Sequence, residues 1–237
     1  MKFSNIKTII FDIDNTLLQT HQYYEQAVYD CAMSVSKKYY SPKEDRIKFS
    51  KQVVDEVNNI YNAADLSPLL IEDTVIEAIH NLGKETDKQI LWLINFRLKD
   101  FYYISPPPYP DTYDTLKELI KKGYKIFLHS HAQEEWTRVK IDILEKELGI
   151  KIPYLATPIT QKKDKNSWKK AIELSQTDIN NTLIVGDNLK ADILSSIEAG
   201  CKNLVLLNKK IDISNVQIHD DINLIKIDNI KELLEYL

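Results

Sequence analysis

The hydrophobic pattern of the chain changes rhythm twice. Thr8-Ile9-Ile10-Phe11 is an unbroken apolar, β-branched run between Lys7 and Asp12. A short run of this kind with polar ends predicts a strand buried on both faces of a parallel sheet. Beyond Leu18 the apolar positions recur at helical spacing. Tyr24, Val28, Cys31, Val35 and Tyr39 form one stripe, and Phe49, Val53, Val57 and Ile60 a second, after Pro42 at a helix start. Ile71, Val75, Ile79 and Leu82 form a third, closed by Gly83, and Leu91, Ile94, Leu98 and Phe101 a fourth. No strand interrupts these four predicted helices. Ser105-Pro106-Pro107-Pro108-Tyr109-Pro110 then breaks regular structure as a stiff, extended linker.

From Asp111 onward helix and strand alternate. The pattern predicts a helix over Tyr113–Lys122, a strand over Tyr124–His129, a helix over Glu134–Leu148 and a short strand over Ile152–Ala156. A helix over Asn166–Gln176, a buried strand over Thr182–Gly186, a helix over Ala191–Ala199 and a strand over Asn203–Leu207 follow. Leu224–Ile227 reads as an edge strand and Ile230–Leu237 as a closing helix. This rhythm predicts an α/β fold with a three-layer α/β/α parallel sheet. Residues 1–18 and 106–237 form the sheet-bearing core domain, and 19–105 an inserted all-α domain.

The 237 residues, 43% of them hydrophobic, suffice for a sizeable core. A net charge of −4 with both signs dispersed and no basic block argues against a nucleic-acid partner. No stretch is long and apolar enough to cross a bilayer, and the start of the chain lacks the apolar segment of a secretory signal. A cytoplasmic protein with Cys31 and Cys201 reduced is expected. Five glycines and the absence of GxGxxG or GxxxxGK[ST] argue against a glycine-rich phosphate loop.

Ligands of open α/β sheets bind outside the carboxyl ends of the strands. Those ends carry the candidate chemistry. The first strand runs into Asp12-Ile13-Asp14-Asn15-Thr16, and Ser130 follows Tyr124–His129. Lys162, Lys163 and Lys165 precede the helix that carries Trp168. Gly186-Asp187 closes Thr182–Gly186, with Asp192 five residues later. Paired acids at such a mouth attract a hard cation, and one can attack while the other moves a proton. His129 and His131 would share one face of a strand, but with no third ligand nearby they are not expected to hold a transition metal.

In these features the chain resembles the haloacid dehalogenase superfamily, in its phosphatase branch. Asp12-Ile13-Asp14-Asn15-Thr16 is similar to its first motif, DxDxT, Ser130 to the second, one of the three lysines to the third, and Gly186-Asp187 with Asp192 to the fourth, GDxxxxD. Tyr109-Pro110-Asp111, Leu116 and Gly123-Tyr124 resemble the segment that re-enters the core in members with a helical cap. The likeness runs from Lys7 to about Leu207 and implies a Rossmann-like core with an inserted all-α cap domain.

The resemblance implies a phosphatase acting on a small phosphorylated metabolite. Asp12 is then the nucleophile that forms an aspartyl-phosphate, and Asp14 the general acid and base. Mg²⁺ is the expected cofactor, held by Asp12, Asp187 and the main-chain carbonyl of Asp14, with Asp192 orienting its surroundings. Thr16, Ser130, His131 and a lysine would bind the phosphate; His131 stands where the family often has Asn. Lys165, on the first turn of the helix carrying Trp168, is the expected lysine, with Lys162 as the alternative. A phosphomutase and a catalytically silent homologue are the rival readings. A dehalogenase fits less well, because its chemistry needs no acid at position 14. The substrate and the oligomeric state are not legible.

Overall fold

The computed structural model describes residues 3–63, 70–208, 210–213, 216 and 218–237. The chain divides into two compact units, Thr20–Ser105 and the remainder, Met1–Gln19 with Pro106–Leu237.

The larger unit carries a six-stranded parallel sheet. Its strands are β1 (Thr8–Phe11), β2 (Lys125–His131), β3 (Tyr154–Thr157), β4 (Thr182–Gly186), β5 (Asn203–Leu207) and β6 (Asn223–Ile227), in the order β3-β2-β1-β4-β5-β6. The smaller unit is helical: α1 (Thr20–Val35), α2 (Lys43–Ala63), α3 (Ile71–Asn81) and α4 (Lys88–Leu98), with 3₁₀ turns at Ser36–Lys38 and Phe101–Tyr103. Most of its predicted stripe positions are buried, among them Val28, Cys31, Val35, Val53, Val57, Val75, Ile79 and Ile94, while Tyr39, Ile60, Leu82 and Leu91 are half-buried. Among the described residues no helix is long and apolar enough to cross a membrane.

Side-chain alternation along the strands feeds two apolar layers. Ile9 and Phe11 of β1, and Leu183 and Val185 of β4, pack with Leu116 and Leu119 of α5 (Thr112–Lys121) and with Ile141 and Leu144 of α6 (Glu134–Leu148). Ile10, Ile184 and Phe127 face the other way, onto Trp168, Ala171 and Ile172 of α7 (Lys165–Ser175). Both faces of the central strands are therefore covered, which is why they read as unbroken apolar runs.

Element bounds differ from the sequence expectation in several places, and three of the differences follow. β2 continues through Ser130 to His131 because both residues pair with β3, Ser130 opposite Ala156 and His131 opposite Thr157. The expected helix over Ala191–Ala199 starts earlier, as a wide π-helical turn over Leu189–Leu194, and continues as α8 (Ser195–Glu198). The closing helix is a 3₁₀ segment, Ile230–Glu235, started by a capping box between Asn229 and Glu232.

Candidate functional site

Register aligns the strand ends. Phe11 lies opposite Leu128 on one side and Val185 on the other. The next residues, Asp12, His129 and Gly186, thus emerge level with one another, and Asp12 N–H donates to the Val185 carbonyl at 2.9 Å. Past Asp12 the chain folds into a tight loop. The Ile13 carbonyl accepts from the N–H groups of both Leu17 and Leu18, and Asn15 N–H donates to the Leu18 carbonyl at 2.8 Å. Asn15 sits at φ +62°, a left-handed conformation that asparagine tolerates better than most residues.

Asp12 is buried, and its Oδ1 accepts from Lys163 Nζ at 2.5 Å. The same ammonium donates to the His129 carbonyl at 2.9 Å and pairs with Asp192 Oδ1 at 2.7 Å. Lys163 is 2% exposed, whereas Lys162 and Lys165 are both exposed. The expectation of Lys165, with Lys162 as alternative, is corrected on position: the structure brings Lys163 to Asp12. The helix cap explains the offset. Asp164 is the N-cap of α7, its Oδ1 accepting from Asn166 and Ser167 N–H, so α7 begins one residue earlier than the apolar pattern predicts. That leaves Lys165 as its exposed first residue and Lys163 in the turn before it.

Asp14 meets a different cation. Lys140 of α6 donates to Asp14 Oδ1 at 2.6 Å, and Ser130 Oγ donates to Asp14 Oδ2 at 3.2 Å. Lys140 has no exposed surface, and its Nζ lies 3.4 Å from the centre of the Trp136 ring. Sequence reasoning missed this lysine. Its legible signal was a Lys in line with Trp136, Thr137, Ile141 and Leu144 on the buried stripe of α6.

Gly186 and Asp192 are packed as one piece. A Cβ on Gly186 would lie 2.4 Å from Asp192 Oδ2 and 2.5 Å from its Cβ and Cγ, so only glycine leaves room for this carboxylate. Asp192 Oδ2 in turn accepts from Asn188 N–H at 3.0 Å, and Asn188 Oδ1 caps the π turn through Lys190 and Ala191 N–H. Thr16 Oγ1 makes a long bond to Asp187 Oδ1 at 3.4 Å. His131 Nε2 donates to the Gln161 carbonyl at 2.7 Å. His129 is fully buried, bonded to Thr157 and edge-on to Trp168.

The electrostatics follow from crowding. Burial pushes Asp12 up to about 7, with Asp192 and Asp14 adding to the rise and Lys163 opposing it. Burial, then Asp12 and Asp192, hold Asp187 well above the usual carboxylate range. Burial pulls Lys163 down, but Asp12 and Asp192 outweigh it and the net shift is upward. Burial lowers Lys140, with Asp14 partly offsetting it. Burial, Lys163 and His131 keep His129 neutral.

Oxygen atoms of Asp12, Asp187 and Asp192 all lie within 4.8 Å of one another. With Asp14, four carboxylates converge on two ammonium groups, Lys140 and Lys163. The set is short of two positive charges and offers only oxygen donors, which fits a hard divalent cation such as Mg²⁺. Both Asp192 oxygens are engaged, Oδ1 by Lys163 and Oδ2 by Asn188 N–H, whereas Asp12 meets Lys163 through Oδ1, so Asp12 and Asp187 are the better placed to ligate.

Known proteins show the same arrangement of strands and insertion. A hydrolase structure from Xanthomonas campestris superposes with a TM-score of 0.67 at 14% identity, covering 97% of this chain and 89% of that one. The HAD-hydrolase YfnB of Bacillus subtilis, solved bound to magnesium, gives a TM-score of 0.67 at 16% identity over 97% of both chains. In sequence, the pyrophosphatase PpaX of Bacillus mycoides is 21% identical over 202 residues, covering 85% of this chain and 83% of its own. The family profile of haloacid dehalogenase-like hydrolases matches residues 6–200, from just before β1 to the glycine before β5, so the chain belongs to that family.

Proposed function

We propose that this hydrolase is a Mg²⁺-dependent phosphatase that cleaves a small phosphomonoester through an aspartyl-phosphate on Asp12. The carrying observation is the pairing of buried Asp12 with Lys163 inside a carboxylate cluster short of two positive charges. An anionic nucleophile can approach an anionic phosphate only where cations cancel the repulsion. Asp12 and Asp187 would hold the metal, which supplies charge neutralisation when bound.

In the first step an Asp12 oxygen bonds to phosphorus as the bond from phosphorus to the leaving oxygen breaks. Asp14 gives its proton to that oxygen. In the second, Asp14 takes a proton from water, the water oxygen bonds to phosphorus, and Asp12 leaves as a free carboxylate. Lys163 remains on Asp12 and Asp192 throughout and steadies the attacking carboxylate. Ser130, His131 and Thr16 are read as phosphate-side residues, and the helical unit as the cap that selects the substrate. The kinship with a pyrophosphatase supports phosphoryl chemistry over dehalogenation. Asp12→Asn should abolish release of p-nitrophenolate from p-nitrophenyl phosphate in Mg²⁺. Turnover retained by that variant would refute the nucleophile.

A further inference from the structure

We propose that three exposed lysines on one rim of the strand ends, Lys162, Lys165 and Lys190, select a phosphomonoester that carries a second anionic group close to the scissile phosphate. The inference rests on the phosphatase reading and narrows its substrate class.

A helix that follows a parallel strand starts at the mouth where ligands bind. The starts on the two faces of this sheet carry opposite charge. α6, after β2, begins with the exposed acids Glu134 and Glu135. α7, after β3, has no acid in its first turn and begins with exposed Lys165, next to its cap Asp164. The π turn after β4 has exposed Lys190 as its second residue. A cation at a helix start opposes the helix dipole, so helix stability does not account for these lysines. Three contacts fix them beside the phosphate site. Lys163 Nζ meets Asp12 Oδ1 at 2.5 Å, which anchors the segment that carries Lys162 and Lys165. Spacing of about 3.8 Å per residue keeps both backbones within roughly 8 Å of that of Lys163, about a Debye length at physiological salt. The His131 ring donates to the Gln161 carbonyl at 2.7 Å and ties the turn before Lys162 to the end of β2. Trp168 Nε1 donates to the Ala191 carbonyl at 2.7 Å, which draws the start of α7 against that of the π turn, and so Lys165 toward Lys190. Inside the mouth the carboxylates exceed the ammonium groups by a charge that one divalent ion balances. The rim lysines stand outside that balance and add positive potential beside the phosphate. A second phosphate or carboxylate on the substrate would use it, and a lone phosphate would not.

The test compares inorganic pyrophosphate with orthophosphate as inhibitors of p-nitrophenyl phosphate hydrolysis in excess Mg²⁺. Pyrophosphate is the smallest phosphate with a second anionic group attached. The parent should bind it at least about tenfold tighter than orthophosphate at low salt, and added salt should shrink the preference. The triple variant Lys162→Gln, Lys165→Gln, Lys190→Gln should reduce the preference to within about twofold. It should melt no lower than the parent, because the cations it removes oppose helix dipoles. Lys7→Gln with Lys125→Gln, exposed at the opposite ends of β1 and β2, should leave the preference as it is. No preference in the parent, one that persists in the triple variant, or one that falls equally in the double variant would overturn the rim assignment and leave the phosphatase reading intact. A triple variant that melts well below the parent would overturn it too, since the lysines would then be holding the fold. A parent that does not turn over p-nitrophenyl phosphate would overturn the phosphatase reading instead, while the rise in Tm with each anion in Mg²⁺ still reads the rim.

Discussion

Replacing Lys163 by methionine tests the charge arrangement at its centre. The ammonium is 2% exposed and serves Asp12, Asp192 and the His129 carbonyl at 2.5, 2.7 and 2.9 Å. Methionine fills much of the same space but leaves Asp12 and Asp192 close together without their cation. Removing one partner of a buried ion pair costs about 3–5 kcal/mol. For a chain of this size each kcal/mol moves Tm by roughly 2–4 °C, so a drop of roughly 6–20 °C is expected. The loss should also carry a pH signature. Asp12 is already pushed up to about 7 from an ordinary 3.8, so the folded protein keeps a proton there that the unfolded chain has released. Stability falls with rising pH wherever the folded state binds more protons. The parent therefore loses stability as pH climbs through the interval between those two values. Without Lys163 the carboxyl rises further, and the variant goes on losing stability above it. Urea unfolding without Mg²⁺ at about pH 5.5 and about pH 8 reads the difference, and the gap between parent and variant should widen at the higher pH. A gap that stays flat or narrows would refute the electrostatic account. Lys162→Met and Lys165→Met, both at exposed positions, should stay within about 0.5 kcal/mol of the parent.

Gly186→Ala should cost about 1–3 kcal/mol in urea unfolding and lower kcat, because the new Cβ must displace Asp192 from 2.4–2.5 Å. A variant as stable and active as the parent would mean that the placement of Asp192 does not matter. The rise in Tm on adding Mg²⁺ should grow between about pH 6 and about pH 8, since a ligating carboxylate must first lose its proton and both Asp12 and Asp187 hold theirs unusually high. A pH-independent rise would place the metal elsewhere. Trp168→Phe should cost about 1–3 kcal/mol, because the indole Nε1 donates to the buried Ala191 carbonyl at 2.7 Å and phenylalanine leaves that oxygen without its donor. Thermal unfolding within about 0.5 kcal/mol of the parent would contradict this.

The apolar runs Thr8–Phe11 and Thr182–Gly186 were legible as buried strands because both faces of each are covered by helices, so nothing polar interrupts them. The acids at their ends were legible for the same reason, since a carboxylate that breaks an apolar run stands out. The lysines were harder. Lys162, Lys163 and Lys165 differ by one or two positions, and which one turns inward depends on where Asp164 starts α7, a capping choice that periodicity does not register. Lys140 was hidden differently: a charged residue on a buried stripe needs its partner, and Asp14 lies 126 residues away in sequence. The π turn was out of reach as well. It forms where Asp192 turns back against Gly186, a contact between side chain and backbone that leaves no spacing signature.

The sheet order explains why two acids in one short motif acquire different partners. β1 lies between β2 and β4, with α5 and α6 packed on one face and α7 on the other. The chain passes from β2 to β3 on one side of β1 and returns to β4 on the opposite side, and the crevice of an open α/β sheet lies at such a reversal. Asp12 and Asp187 therefore converge from adjacent strands although 175 residues separate them in the chain. The helical layers then divide the two acids. Lys163, in the turn leading into α7, reaches Asp12, and Lys140, from α6, reaches Asp14. Each carboxylate has its own ammonium from its own side of the sheet, so the charge on one can change without removing the cation from the other. In the proposed reaction a nucleophile that attacks as an anion stands beside an acid that gains and loses a proton, and the separation of their cations comes from the winding of the chain about β1 rather than from the DxD spacing alone.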